Sequence, residues 1–129
     1  MLRILIADDH PVLMQALTRI IQEEFPGVYV EGATDTSILI TKVESGIWDL
    51  VISDLAMPGG GGFFALKKIK AINQNLPVVI LSTYPREQYE PRVIKAGAED
   101  FVSKDSLPGG LIKAVRRILS TPTTSTEPS

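Results

Sequence analysis

The sequence predicts an α/β fold in which an open parallel β-sheet is covered by helices on both faces. Five short apolar runs alternate with five longer segments that carry apolar residues at helical spacing. This alternation is typical of consecutive βαβ units. The runs are also nearly continuous in apolar residues, as expected for parallel strands that are buried on both faces.

The first strand is the apolar run at residues 2–7. Apolar residues recur at helical spacing over residues 12–21, which predicts the first helix, and Pro26 with Gly27 stops it. Residues 28–30 form the candidate second strand.

The second helix carries apolar residues over 38–43, and one of residues 34–36 can cap its amino terminus. The third strand follows at residues 50–54. Residues 57–62 are rich in glycine and predict a flexible loop, after which the third helix covers residues 63–72.

The fourth strand covers residues 78–82. Residues 86–96 form the fourth candidate helix, although Pro91 disfavours a regular helix in its first turns. A short fifth strand at residues 101–103 precedes a final amphipathic helix over residues 107–119.

The simplest topology for these elements is the flavodoxin-like (βα)5 fold, a doubly wound sheet with strand order 2-1-3-4-5. Ligands of such sheets bind at the carboxyl ends of the strands, where the strand order reverses. Asp8 and Asp9 follow the first strand and Asp54 ends the third, so we expect the three carboxylates to meet there. Ser82 ends the fourth strand and Lys104 follows the fifth, which adds a hydroxyl and an ammonium to the same edge.

This group of side chains can hold a hard cation and a phosphoryl group together. Mg²⁺ typically takes one or two carboxylates plus phosphate oxygens, and Asp8 and Asp9 can both reach one cation, one of them through water. Asp54 can be a third ligand and also a nucleophile, because a carboxylate can form an aspartyl-phosphate. Phosphoryl transfer needs charge neutralisation, which Mg²⁺, Lys104 and the Ser82 hydroxyl would each supply to one oxygen.

Each of these residues alone has an ordinary structural interpretation. Adjacent aspartates after a strand often only start a loop and cap a helix, and Asp54 is of a type common at strand ends. Ser82 alone can cap the following helix, and Lys104 alone is a solvated lysine. Their joint placement at four strand ends is what favours a functional site.

Three neighbouring features are interpreted as structural. His10 lies beside the acids but is interpreted as a surface or capping histidine, not as a metal ligand. The glycine run at residues 59–62 is not a phosphate-binding loop, because no Lys-Ser/Thr pair follows it. Trp48, Phe63 and Phe64 are interpreted as core or helix-edge packing.

Composition excludes several classes of protein. The net charge of -2 lacks the basic excess that sequence-independent nucleic-acid binding needs. The absence of cysteine excludes disulfides and thiolate sites, which fits a reducing compartment. No apolar stretch is long enough to span a bilayer, and the amino terminus does not read as a signal peptide. We therefore expect a cytoplasmic protein without membrane contact.

The chain is expected to form one domain over residues 1–120. Residues 121–129 are polar, contain proline and have no apolar period. This composition is typical of a flexible tail or linker. A linker at this position favours a following domain beyond Ser129.

Four motifs together resemble the receiver domain of two-component response regulators over residues 1–119. The motifs are Ile6-Ala7-Asp8-Asp9-His10, Ser53-Asp54-Leu55-Ala56-Met57-Pro58-Gly59, Leu81-Ser82, and residues 95–105 from Lys95 to Asp105. The Asp-Asp-His, Leu-Ser and Lys-Asp pieces resemble the LuxR-type (NarL/FixJ) subgroup. Members of that subgroup carry a C-terminal helix-turn-helix domain that binds DNA.

The resemblance implies a role for each residue of the site. Asp54 would be the phospho-acceptor, with a histidine kinase or a small phosphodonor as the source. Asp8 and Asp9 would hold Mg²⁺ with Asp54 and the backbone carbonyl of Ala56, and Lys104 would bind a phosphoryl oxygen. The chain would be a switch and not a turnover enzyme, with self-phosphorylation and self-dephosphorylation as its only chemistry.

The resemblance also implies a switch pair and an output. Ser82 would move toward the phosphate while the ring of Phe101 turns inward, which changes the surface of the fourth helix, fifth strand and fifth helix. That surface would change its preference for partners. The resemblance also implies a homodimer and control of transcription, with DNA bound only through a domain outside this chain. Asp105 stands where many members have proline, which puts a cis peptide bond at that position in doubt.

Three alternatives remain open from the sequence. A Mg²⁺-dependent phosphohydrolase with an aspartyl-phosphate intermediate needs the same groups, although the known family of this kind has an Asp-x-Asp pair after its first strand. A flavin or nucleotide carrier has the same architecture but needs a phosphate loop after the first strand. A stand-alone receiver would have no DNA-binding output.

Overall fold

The computed structural model describes residues 1–120, and the predicted tail at 121–129 lies outside the described residues. Its five strands form one parallel sheet in the order β2-β1-β3-β4-β5. They are β1 (Arg3–Ala7), β2 (Tyr29–Ala33), β3 (Leu50–Asp54), β4 (Val78–Ser82) and β5 (Asp100–Ser103). The predicted flavodoxin-like topology is confirmed.

Five helices connect and follow the strands. They are α1 (Pro11–Glu24), α2 (Thr36–Ser45), α3 (Gly61–Ile72), α4 (Arg86–Lys95) and α5 (Gly109–Ser120). A short 3₁₀ turn, Lys104–Ser106, lies between β5 and α5. Of the three residues at 34–36 that could cap α2, Asp35 is the cap, and its Oδ1 accepts a hydrogen bond of 2.8 Å from the Ile38 N–H.

The sheet separates two layers of apolar core. Because side chains alternate along a strand, Ile4 and Ile6 of β1 face α1 and α5, whereas Leu5 and Ala7 face the layer of α2, α3 and α4. Every residue of β3 and β4 is buried. This burial on both faces explains why the strands are continuous apolar runs, and it leaves only their ends available for polar chemistry.

Three predicted boundaries are wrong. The second strand continues past residue 30, because its pairing with β1 runs on to Ala33 beside Ala7. Helix α3 begins at Gly61, so the last two residues of the predicted glycine loop are helical. Helix α5 begins at Gly109, because the Leu107 N–H still bonds to the Lys104 carbonyl and closes the 3₁₀ turn.

Pro91 lies inside α4, and the helix continues on both sides of it. Proline removes the hydrogen bond that its N–H would donate to the preceding turn. This residue is exposed, so water can satisfy the carbonyl that is left without a partner. Among residues 1–120 the cis peptide bond is Leu107–Pro108, not the bond after Lys104. No helix of the described chain combines the length and the apolar character that a bilayer span requires.

Candidate functional site

Neighbouring strand ends bring two aspartates and a lysine together. Strand β1 pairs with β3 through Ala7 and Ser53, and the next residue along each strand is acidic. These residues, Asp8 and Asp54, are exposed by only 0% and 3%. Lys104 Nζ lies 3.2 Å from Asp8 Oδ2 and 3.2 Å from Asp54 Oδ2. One ammonium therefore bridges the ends of β1 and β3.

Asp9 and His10 complete the acidic pocket. His10 Nδ1 lies 2.8 Å from Asp8 Oδ1 and 3.2 Å from Asp9 Oδ1. One ligand atom from each of the four residues Asp8, Asp9, His10 and Asp54 lies within 4.8 Å of the others. The His10 side chain is 64% exposed, in agreement with a surface position. His10 occupies the N-cap position of α1, as predicted, although its side chain makes no capping hydrogen bond.

The two buried carboxylates, Asp8 and Asp54, differ in how many hydrogen bonds their oxygens accept. Asp8 Oδ1 accepts the His10 backbone N–H at 2.8 Å, and Oδ2 accepts Lys104 Nζ at 3.2 Å. Asp54 Oδ1 accepts only a long 3.4 Å bond from the Ala56 N–H. Asp54 Oδ2 is buried and accepts no hydrogen bond within the described chain, since Lys104 Nζ contacts it only as an ion pair. A buried acceptor without a donor is unusual, and in a cleft such an oxygen is suited to contact an ion or a ligand.

The electrostatics of the pocket reflect the excess of acid. Burial raises the pKa of Asp54, and the negative charge of Asp8 raises it further, against the opposing effect of the Lys104 ammonium. The hydrogen bond to Asp8, followed by the charge of Asp9, raises the pKa of His10. Three carboxylates face one ammonium, so the pocket lacks positive charge. Its oxygen donors fit a hard cation such as Mg²⁺, which Asp8, Asp9 and Asp54 are placed to hold.

An open cavity of about 530 Å³ leads from solvent to this pocket. Its lining consists of Asp9, His10, Asp54, Ala56, Met57, Pro58, Thr83, Tyr84 and Lys104. The cavity is large enough for a phosphoryl group together with water. The sequence analysis did not single out Thr83 as a lining residue, although its position directly after β4 was a usable signal.

Ser82 and Phe101 lie apart from this cavity lining. Ser82 is 1% exposed, and its Oγ accepts the Tyr84 N–H at 2.8 Å, which fixes the turn after β4. The ring of Phe101 is already buried, at 1% exposure, and the Arg86 guanidinium lies 5.4 Å from its centroid. The sequence did not predict the contact of Arg86 with Phe101, because spacing alone does not indicate that the start of α4 contacts β5.

The loop after Asp54 is held by α2. Thr36 is buried, its N–H donates to the Pro58 carbonyl at 3.0 Å, and its Oγ1 accepts the Gly61 N–H at 3.2 Å. A Cβ on Gly62 would lie 2.2 Å from the Asp54 carbonyl oxygen. The glycine at this position therefore lets the start of α3 pack directly against the backbone that carries Asp54.

Comparisons with known proteins agree with this geometry. The model of the response regulator receiver domain matches residues 4–116. The chain is 34% identical over 117 residues to the Fimbriae Z protein of Escherichia coli K12, covering 91% of this chain and 56% of that protein. It is 34% identical over 122 residues to the glycerol metabolism activator of Pseudomonas putida, covering 93% and 55%. The chain thus spans about half the length of these curated relatives.

Solved structures give the same result. The response regulator TrrA of Thermotoga maritima, solved in complex with Mg²⁺ and BeF, is 29% identical with a TM-score of 0.82, over 92% of this chain and 99% of that one. A LuxR-family two-component response regulator from Aurantimonas is 30% identical with a TM-score of 0.85, over 92% and 84%. The resemblance that the four motifs indicated is confirmed. This chain belongs to the response regulator receiver domain family, and its LuxR-type features are shared with regulators of that subgroup.

Proposed function

We propose that Asp54 accepts a phosphoryl group in a Mg²⁺-dependent reaction, with a histidine kinase or a small phosphodonor as the source. The observation that carries this proposal is the buried Oδ2 of Asp54, which accepts no hydrogen bond in the described chain and lies 3.2 Å from Lys104 Nζ. The similarity to a response regulator solved with Mg²⁺ and BeF supports it.

The chemistry of this step balances within the pocket. A carboxylate oxygen of Asp54 forms a bond to phosphorus, and the bond from phosphorus to the donor nitrogen or oxygen breaks with its electron pair leaving on the donor. The Lys104 ammonium pairs with a phosphoryl oxygen. Bound Mg²⁺ supplies neutralisation of charge on the phosphoryl oxygens, and Asp8, Asp9, Asp54 and the Ala56 carbonyl are the groups that would hold it.

The switch that follows is proposed to involve Ser82 more than Phe101. The Ser82 hydroxyl accepts the Tyr84 N–H, so its own proton is free to reach a phosphoryl oxygen once the turn moves. The Phe101 ring is already packed inward, so its further inward rotation is not required. Phosphorylation then changes the surface around α4, β5 and α5.

The output is proposed to be transcription control. This chain covers only 55–56% of the length of these relatives, and LuxR-family regulators are among its structural neighbours. Residues 1–120 would be the receiver, residues 121–129 a linker, and a domain beyond Ser129 would bind DNA. A homodimer through the changed surface would couple the two.

Incubation with Mg²⁺ and an acyl phosphate, followed by intact-mass analysis, tests the acceptor. The wild type is expected to gain the mass of one phosphoryl group, and Asp54→Asn to gain none. Asp105→Asn, which removes an exposed carboxylate beside Lys104, is the matched control and should be phosphorylated normally. An adduct of equal yield in Asp54→Asn, or none in the wild type, would contradict the proposal.

The same samples separate a switch from a phosphohydrolase. We propose that the chain does not turn over phosphate esters, because adjacent Asp8 and Asp9 stand where the known phosphohydrolase family has an Asp-x-Asp pair. The phosphoryl group would then leave Asp54 only by self-dephosphorylation. Release of inorganic phosphate from an excess of a phosphate ester should stay at the level of the Asp54→Asn variant. Steady multiple turnover would favour the phosphohydrolase.

A further inference from the structure

We propose that His10 is a nitrogen ligand of the divalent cation in the acidic pocket. The pocket then favours Ni²⁺ or Zn²⁺ over Mg²⁺ more strongly than its carboxylates alone would. This inference rests on the proposed cation role of Asp8, Asp9 and Asp54, and it adds a ligand and a metal preference to that role.

The position of the imidazole supports coordination. His10 Nδ1, not the outer nitrogen, faces the acids, at 2.8 Å from Asp8 Oδ1 and 3.2 Å from Asp9 Oδ1. The backbone of His10 is fixed, because its N–H donates to Asp8 and its carbonyl accepts the Met14 N–H at 2.9 Å. The side chain is 64% exposed, so the ring can adjust without disturbing the core.

These distances match those between ligands of one ion. Around an octahedral cation with bonds of about 2.1 Å, adjacent ligands lie about 3.0 Å apart and opposite ligands about 4.2 Å apart. His10 Nδ1 shares a hydrogen bond of 2.8 Å with Asp8 Oδ1 and lies 3.2 Å from Asp9 Oδ1, and these two distances are close to the adjacent spacing. A bound cation would displace the proton of that hydrogen bond, as metal binding to histidine does. The largest separation within the group of Asp8, Asp9, His10 and Asp54 is at most 4.8 Å, close to the opposite spacing. Small side-chain movements would therefore place all four ligand atoms around one ion.

A second observation supports a cation at this position. Asp54 Oδ2 is buried in the pocket and accepts no hydrogen bond in the described chain. The lone ammonium of Lys104 is shared with Asp8, so it does not neutralise Asp54 alone. A bound cation would place positive charge beside Asp54 Oδ2, where the pocket lacks it.

The chemistry of imidazole sets the preference. Carboxylates and water suit Mg²⁺, whereas imidazole suits Ni²⁺, Zn²⁺ and Cu²⁺. His10 is the single histidine of the 129 residues, and the chain has no cysteine. Any imidazole bound to a metal in this protein must therefore be that of His10, which makes the inference directly testable.

The experiment compares binding of Mg²⁺ and of Ni²⁺ by isothermal titration calorimetry, using untagged protein of residues 1–129. Wild type, His10→Gln and the control Asp105→Asn are titrated with each metal. We expect His10→Gln to weaken Ni²⁺ binding by roughly tenfold or more relative to its effect on Mg²⁺. Asp105→Asn should leave the ratio of the two affinities unchanged.

A spectrum gives an independent readout. In ¹H NMR of the Ni²⁺-loaded wild type, we expect an exchangeable imidazole N–H proton shifted far outside the diamagnetic range, and His10→Gln should lack it. Equal weakening of both metals in His10→Gln, without a shifted proton in the wild type, would show that His10 only positions Asp8, and would overturn the inference. If Mg²⁺ fails to bind the wild type at all, the proposed cation role itself fails. The two failures are thus distinguishable.

Discussion

Two lysines at opposite ends of the sheet are equally buried but differently satisfied. Lys104 lies at the carboxyl ends of the strands and Lys70 near the amino ends of β4 and β5, and each side chain is 12% exposed. Lys70 Nζ donates to both carboxylate oxygens of Glu99, at 3.0 and 3.1 Å, and to the Leu76 carbonyl at 2.8 Å. Lys104 Nζ is shared between Asp8 and Asp54, and one oxygen of Asp54 accepts no hydrogen bond in the described chain.

The difference shows that unbalanced charge, not burial, distinguishes the functional end. At the amino ends one ammonium meets one carboxylate, whose Oε1 also accepts the Val78 N–H at 2.8 Å. That network is complete and ties α3 to β4 and β5. At the carboxyl ends one ammonium faces Asp8, Asp9 and Asp54. An incomplete set of partners in an open cavity is where a cation and a phosphoryl group can add.

The largest expected effect separates the two lysines by reactivity. Lys104→Met should slow phosphorylation by an acyl phosphate by roughly 100-fold or more, because a charged donor to the transferring group is lost. Lys70→Met should leave the rate per folded molecule unchanged. The time course of the phosphoryl adduct by intact mass measures both. Comparable phosphorylation rates in the two variants would contradict the proposed difference between Lys104 and Lys70.

The second expected effect is on the stability contributed by Lys70. Lys70→Met removes the cation of a half-buried ion pair, in which the Glu99 side chain is 35% exposed, together with its hydrogen bond to the Leu76 carbonyl. The free energy of unfolding should therefore fall by roughly 1–2 kcal/mol. Adding Glu99→Gln should recover part of this loss, since the amide oxygen can still accept the Val78 N–H. Urea unfolding by circular dichroism measures both. No recovery in the double variant would mean that the packing of the Lys70 stem, not its charge, is what stabilises this end.

The fold could be predicted because its strands are buried on both faces. An apolar run such as 78–82 has few alternatives, and right-handed crossovers then define the strand order. The starts of α3 at Gly61 and of α5 at Gly109 could not be predicted from the sequence, because glycine has a low helix propensity and the pattern therefore favours a start after it. Gly62 lies in the first turn of α3, where the backbone of Asp54 approaches it too closely for any residue with a Cβ.

The strand order predicted where the acidic side chains lie, but it did not predict their hydrogen-bond and ion-pair partners. Lys70 stands in a row with Lys67 and Lys68, and no spacing indicates which of the three reaches Glu99. The contact of His10 with the acids also depends on side-chain rotation, which adjacency in sequence does not determine. Hydrogen-bond partners across the fold are set by tertiary packing, so sequence patterns carry little information about them.

The third and smallest effect concerns the stability cost of the unsatisfied carboxylate. Burial is the main cause that raises the pKa of Asp54 above the ordinary value of 3.8 for an aspartate. The native state therefore holds a proton more tightly than the unfolded state, so this group lowers stability as pH rises through its native pKa. A buried acceptor without a donor costs about 1–3 kcal/mol, part of which the Lys104 ion pair offsets. Asp54→Asn should then be about 1 kcal/mol more stable than the wild type at pH 7 in a chelator.

The gain should depend on pH in one direction. Below pH 3.8 the wild-type carboxyl is protonated in both states, so the difference between wild type and Asp54→Asn should fade there. Urea unfolding at several pH values measures it, with Asp105→Asn as an exposed control whose difference from wild type should stay near zero. Adding Mg²⁺ should stabilise the wild type and reduce the gain, because the cation binds the native pocket and supplies the charge that Asp54 lacks. A wild type more stable than Asp54→Asn at pH 7 without metal would show that Lys104 already satisfies Asp54, and the contrast with Lys70 would then be lost.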